Sequence, residues 1–212
     1  NQYQLPHSLS LLDCPMSKDS SKRLFKNKVV DYWQTKLRQD ASRLPSLLYF
    51  KPHFMSLSVP HPIWLTCGSN SYEISKAIIQ AKMLSGRYRT DQFVRHFTDN
   101  DGSCVTCESN APGDIVHLLL LCPAFKDTRT RMLQKLESNC EISDIAKTLI
   151  KNAFQTTTTS IQLLLDPSVL PNTIRLKQSK EPLILQHLFK FSRSWCYSIH
   201  KTRLKLLGRW QN

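Results

Sequence analysis

Asp101-Gly-Ser-Cys104-Val-Thr-Cys107-Glu-Ser-Asn-Ala-Pro112-Gly113-Asp114-Ile-Val-His117-Leu-Leu-Leu-Leu-Cys122-Pro123 is the stretch around which this 212-residue chain organises itself. Two residues separate Cys104 from Cys107, a spacing that closes a tight knuckle, turns both thiolates toward one point and lets backbone amides donate to the sulfurs. Pro112-Gly113 then reverses the chain, and Asp114 is placed to cap a short helix that carries His117 in its first turns. Cys122 follows His117 by five positions, so on an unbroken α-helix the two side chains would diverge by about 140° and could not share a ligand. Pro123 disfavours helical geometry at Cys122, so the helix is expected to stop near Leu121 and release Cys122 toward the other three.

The spacing C-x2-C-x9-H-x4-C therefore predicts a metal site with Cys104, Cys107, His117 and Cys122 as ligands, and zinc as the ion. Three thiolates and one imidazole complete a tetrahedron, leaving no position for water or substrate, so the expected role is structural. Three thiolates against a divalent ion leave a formal charge of −1, so any grip on phosphate must come from Arg and Lys around the site. The alternative is three small buried hydrophobes and a surface histidine, since free Cys often serves only as core. A further alternative is a metal that merely staples a protein-interaction module.

Outward from the knuckle the pattern is helical. Phe25, Val29, Trp33, Leu37, Ala41 and Leu44 recur every three or four residues from Ser20 or Ser21, with Lys22 and Lys26 on another face, until Pro45 ends the run. Pro60-His-Pro-Ile-Trp64 is expected to be irregular, with Trp64 anchoring it. Asn70 or Ser71 caps a second helix with the stripe Ile74, Ala77, Ile78, Ala81, Leu84. Helices are expected over 129–136 and 142–154. The threonine run of 155–160 is expected to form a loop, followed by a short apolar segment at 163–165 and turns at Pro167 and Pro171. The longest pattern, 183–210, carries the stripe Leu185, Leu188, Trp195, Ile199, Leu206 and the cations Lys190, Arg193, Lys201, Arg203, Lys205 and Arg209. The fold class is mainly α, an irregular helical domain with an embedded CCHC zinc knuckle. It divides into a connector (1–19), a helix and Pro-rich loop (20–68), a zinc-knuckle region (69–130) and a C-terminal helical region (131–212).

Composition narrows the partners. Lys and Arg number 29 against 16 Asp and Glu, a formal charge of +13 with 41% hydrophobic residues, which suits a folded binder of polyanions. Nucleic acid leads; no run of 18 apolar residues or lipidation motif points to a membrane. The chain starts at Asn1, and its first twelve residues lack the basic start and apolar core of a signal peptide, so it reads as a piece of something longer. Cys14, Cys67, Cys140 and Cys196 lie at irregular spacing, which argues against a disulfide framework and for a reducing, intracellular setting.

Cations crowd the approach to the knuckle: Lys82, Arg87, Arg89 and Arg95, with Tyr88 among them, make a candidate nucleic-acid contact in which Tyr88 stacks on a base. The bland alternative is a solvated helix face with Tyr88 in the core. Trp195 reads as core before it reads as a stacking platform, and His61 is given no role.

The run Lys82-Met-Leu-Ser-Gly-Arg87-Tyr-Arg89-Thr-Asp91, together with Cys104, Cys107, His117, four apolar residues and Cys122-Pro123, resembles the region that follows the polymerase in LINE-type non-LTR retrotransposon reverse transcriptases. Leu165-Asp-Pro-Ser168 and Arg193-Ser-Trp-Cys-Tyr-Ser-Ile-His200 are similar to the tail of invertebrate versions. The resemblance implies a segment that binds template RNA or target DNA beside an upstream reverse transcriptase domain, with Cys104, Cys107, His117 and Cys122 as metal ligands and Arg87 and Arg89 as contacts. The chain departs from such proteins in lacking a Tyr-x-Asp-Asp pair and an endonuclease's acidic cluster. Asp166-Pro167 and Glu181-Pro182 do not make the Asp and Glu-x-Lys pair of a restriction-like nuclease. The expectation is a region that binds and does not catalyse.

Overall fold

The computed structural model describes residues 3, 5, 16–44, 47–51, 59–99, 101–107, 109–171 and 182–208. The expectations for Cys14, Pro45, Pro52, Glu181, Arg209 and Trp210, and for most of the 1–19 connector, fall outside them. The chain divides into two compact units, Asn1–His61 and Pro62–Asn212.

In the first unit, α1 (Lys18–Arg43) begins at Ser17, whose hydroxyl accepts from the Ser20 amide at 3.2 Å. That side chain satisfies one of the amides every helix start leaves orphaned, so the helix opens a turn before the apolar pattern does. The expected stripe is present but not buried: Phe25 is 37% and Trp33 47% exposed. Among the described residues of this unit no second α-helix exists to cover it.

The second unit is a helical assembly. In chain order it contains α2 (Pro62–Leu65), α3 (Ser71–Leu84), α4 (Asp91–Val94), a π turn (His117–Leu121), α5 (Lys126–Ser138), α6 (Asp144–Ala153), α7 (Thr157–Leu165) and α8 (Pro182–Leu206), with 3-10 turns at Pro123–Phe125 and Pro167–Val169. Among the described residues there is no strand, only an isolated antiparallel bridge between Ser103 and Pro112. The mainly α expectation holds. The limit expected at 130/131 falls inside α5, and α8 packs against α3, α5, α6 and α7.

Several local expectations are corrected. Pro62 opens a helix where an irregular run was expected, because proline is tolerated at a helix's first position, where its missing N–H would have had no partner. Ile63, 1% exposed, anchors that turn, while Trp64 stays 43% exposed. Arg193 explains the choice: its guanidinium donates to the Thr66 carbonyl at 2.8 Å and the Thr66 hydroxyl at 2.6 Å, fastening α2 to α8. The threonine run is helical, because Thr156 serves as the cap, its hydroxyl accepting from the Thr159 amide at 3.2 Å. Propensity was overridden by burial: Leu163, Leu164 and Leu165 are fully enclosed. The buried face of α3 is Lys76, Ala77, Gln80, Met83 and Leu84, so Ile78 of the expected stripe is exposed. The cations of α8 do not share one surface, since Arg193 and Arg203 are buried and lie in the packing interior. Leu188, Trp195 and Ile199 line that interior as expected, and Leu206 does not.

A candidate metal centre

The four expected ligands come together. The Sγ atoms of Cys104, Cys107 and Cys122 and a ring nitrogen of His117 all lie within 4.8 Å of one another, on side chains that are buried except for the half-buried Cys107. Cys104 Sγ and Cys122 Sγ are 3.8 Å apart, and Cys107 Sγ and His117 Nε2 are 3.3 Å apart. Tetrahedral edges built on metal–sulfur bonds of about 2.3 Å and metal–nitrogen bonds of about 2.0 Å come to about 3.8 and 3.5 Å. The donor set therefore fits a tetrahedral cation, and the three cysteines are free of disulfides.

Each ligand has a local reason for its place. The knuckle is closed by the Cys104 amide on the Ala111 carbonyl at 2.9 Å and the Gly113 amide on the Gly102 carbonyl at 2.8 Å. Asp114 caps the next segment as expected, its carboxylate accepting from the His117 amide at 2.7 Å. The angular problem between His117 and Cys122 is solved in a way the spacing did not reveal. From His117 the helix widens to a π turn, and the Cys122 amide donates to the carbonyl of His117 itself at 2.7 Å. A turn closed between residues five apart stacks His117 and Cys122 on one side. Cys122 then leaves helical geometry, with ψ 120°, ahead of Pro123.

The electrostatics call for a cation. Burial disfavours the Cys107 thiolate, yet hydrogen bonds from Ser109, His117 and Cys104 outweigh it and hold the thiol down at about 6. Ser109 Oγ lies 2.9 Å from that sulfur. At Cys122, burial and then the neighbouring thiols push the group up to about 12. Thiolates gathered within 4.8 Å would repel one another, and a divalent ion held among them would offset that repulsion.

A buried brace joins this centre to α8. Arg203 Nη2 donates to Asp91 Oδ1 at 2.7 Å, and Arg203 Nη1 donates to the Arg89 carbonyl. The other oxygen of Asp91 accepts from the Val105 amide, inside the knuckle, at 3.4 Å. Neither Asp91 nor Arg203 was legible as part of the site, because 112 residues separate them. Arg129 was missed although it is only seven residues on, because its return depends on the turn between Pro123 and α5: the Cys122 carbonyl accepts from its Nη1 at 2.8 Å.

The expected nucleic-acid contacts divide. Lys82, Arg87, Arg89 and Arg95 are exposed, and none of the ion pairs among the described residues involves them. Tyr88 does not join them. It is 8% exposed, with its hydroxyl 3.0 Å from His200 Nδ1 and the Arg203 guanidinium 5.7 Å from its ring centre. Its ring belongs to the core and has no face open to a base. Trp195 is likewise enclosed, donating to the Leu119 carbonyl at 3.2 Å.

No protein-family model, curated protein or solved structure matches the chain. Fold and site define a mainly helical protein with a Cys3His cluster that could hold a metal ion. No helix is long and apolar enough to cross a membrane among the described residues.

Proposed function

We propose that the cluster holds structural zinc and that the chain is the nucleic-acid-binding, non-catalytic region that follows the polymerase in a LINE-type reverse transcriptase, acting inside the cell on RNA or DNA beside that upstream domain. The carrying observation is the set of exposed cations Lys82, Arg87, Arg89 and Arg95 leading up to the cluster, which enter no ion pair among the described residues, on a chain of charge +13. Arg95 is tied to the knuckle itself: a Cβ on Gly102 would stand 2.8 Å from its Cδ. Cations without carboxylate partners are free to release counterions from phosphates. All four ligand positions are protein atoms, which suits a structural ion.

The test is an anisotropy titration of labelled RNA and duplex DNA at several salt concentrations. Four phosphate contacts on a single strand should give a log–log slope of roughly −3. Arg87→Glu with Arg89→Glu should weaken binding by at least tenfold at low salt while leaving zinc content unchanged. Affinity indifferent to salt between low and moderate ionic strength would remove the reading.

A second reading, a zinc-stapled helical module that docks another protein, is favoured by one observation, the uncovered row Phe25, Val29 and Trp33 on α1. Under it the charge reversals at Arg87 and Arg89 leave partner binding intact, and Trp33→Ala abolishes it.

A further inference from the structure

Arg129 stands where a cation is not expected. It lies in the first turns of α5, the end at which a helix dipole disfavours positive charge, and it is half-buried. Among the described residues no carboxylate pairs with it. A guanidinium withdrawn from water is costly unless something of opposite sign faces it. What it meets is Cys122 of the cluster: Nη1 donates to the backbone carbonyl of Cys122 at 2.8 Å, and a charge on the Cys122 side chain would favour the guanidinium against its burial.

We infer that Arg129 is a positioning residue of the metal centre, fixing Cys122 through its carbonyl and offsetting the net negative charge that three thiolates and one imidazole leave around a divalent ion. The inference rests on the zinc reading above and assigns the site a second layer outside its four ligands. The chain builds that layer locally. Pro123 stops the π turn, the 3-10 turn Pro123–Phe125 reverses direction, and the first turn of α5 brings Arg129 back over Cys122 seven residues after leaving it. The hydrogen bond occupies the Cys122 carbonyl just as its amide closes the π turn on His117. One cation thereby clamps both the position of the sulfur-bearing residue and the field at its sulfur. Outer partners of metal ligands typically contribute 10- to 100-fold in affinity.

The experiment is a Co2+ and Zn2+ titration of the full chain against a competing chromophoric chelator. Arg129→Gln, which removes the charge, should weaken metal binding by 10- to 100-fold. Arg129→Lys, which keeps it, should stay within about threefold. A charge effect makes one further demand that simple packing does not: in a Cys107→His background the bound cluster is neutral, so the Arg129→Gln penalty should shrink to about threefold or less. Metal-free melting of each variant controls for folding, and Arg129→Met, which retains the apolar stem, replaces the Gln variant if that fails to fold. Equal affinity of wild type and Arg129→Gln overturns the inference while leaving the zinc reading intact, and so does a Lys variant as weak as Gln. A wild-type chain that takes up neither metal overturns both.

Discussion

Gly113 leaves no space for a side chain. A Cβ there would lie 2.6 Å from the Cβ of Asp91 and 2.8 Å from its Oδ2, closer than real Cβ contacts allow. Asp91 cannot step aside cheaply, because its two carboxylate oxygens are engaged by Arg203 and by the Val105 amide. Gly113→Ala should therefore destabilise the metal-loaded chain by about 1–3 kcal/mol, the usual range for forced overpacking. Its urea midpoint, measured with metal in excess, should fall without a change in slope. An unchanged midpoint would mean that the knuckle yields at no cost. That Gly113 makes a turn is legible from Pro112-Gly113; that it must be glycine because a carboxylate leans on it is not.

At the level of elements, the wide turn at His117–Leu121 is the device that lets a five-residue spacing present two ligands together. Deleting Leu121, which is 58% exposed, converts the spacing to four. On an ordinary α-helix residues four apart diverge by only about 40°, so both ligands still share a face. The deletion should keep metal affinity within about tenfold and preserve the intense absorption of Co2+ bound by thiolates. Loss of that spectrum would show that the π geometry itself is required. Pro123 and the ligand spacing were enough to foresee that the helix must break at Leu121. The widened turn itself was not foreseen, and it comes with packing: Leu118 and Leu119 are buried, and the Leu119 carbonyl accepts from Trp195.

For the second unit as a whole, the centre of gravity is α8. It meets α3, α5, α6 and α7, and through Arg203 and Asp91 it reaches the knuckle. An ion taken up by the cluster would therefore be coupled to helix packing, because an ion bound only by the folded chain adds its binding free energy to stability. At an ion concentration a thousandfold above the dissociation constant that amounts to about 4 kcal/mol, or roughly 8–16 °C in melting temperature for a unit of this size. A chelator should lower the melting temperature by such an amount, read by circular dichroism at 222 nm. A melt that does not move in chelator means no ion supports the fold.

What the sequence alone determined is what depends on neighbours within a turn or two: the close pairing of Cys104 and Cys107, the Asp114 and Asn70 caps, the helical class, and the four side chains of the cluster. These rest on local spacing and on φ/ψ limits that proline and capping residues impose wherever they occur. What only the tertiary structure decided is which polar groups are buried. Arg193 and Arg203 read only as cations of the last helix and Tyr88 as either a stacking ring or core, yet all three lie in the interior, held by hydrogen-bond partners up to 130 residues away. Burial of a charged group depends on a partner that periodicity along the chain cannot locate.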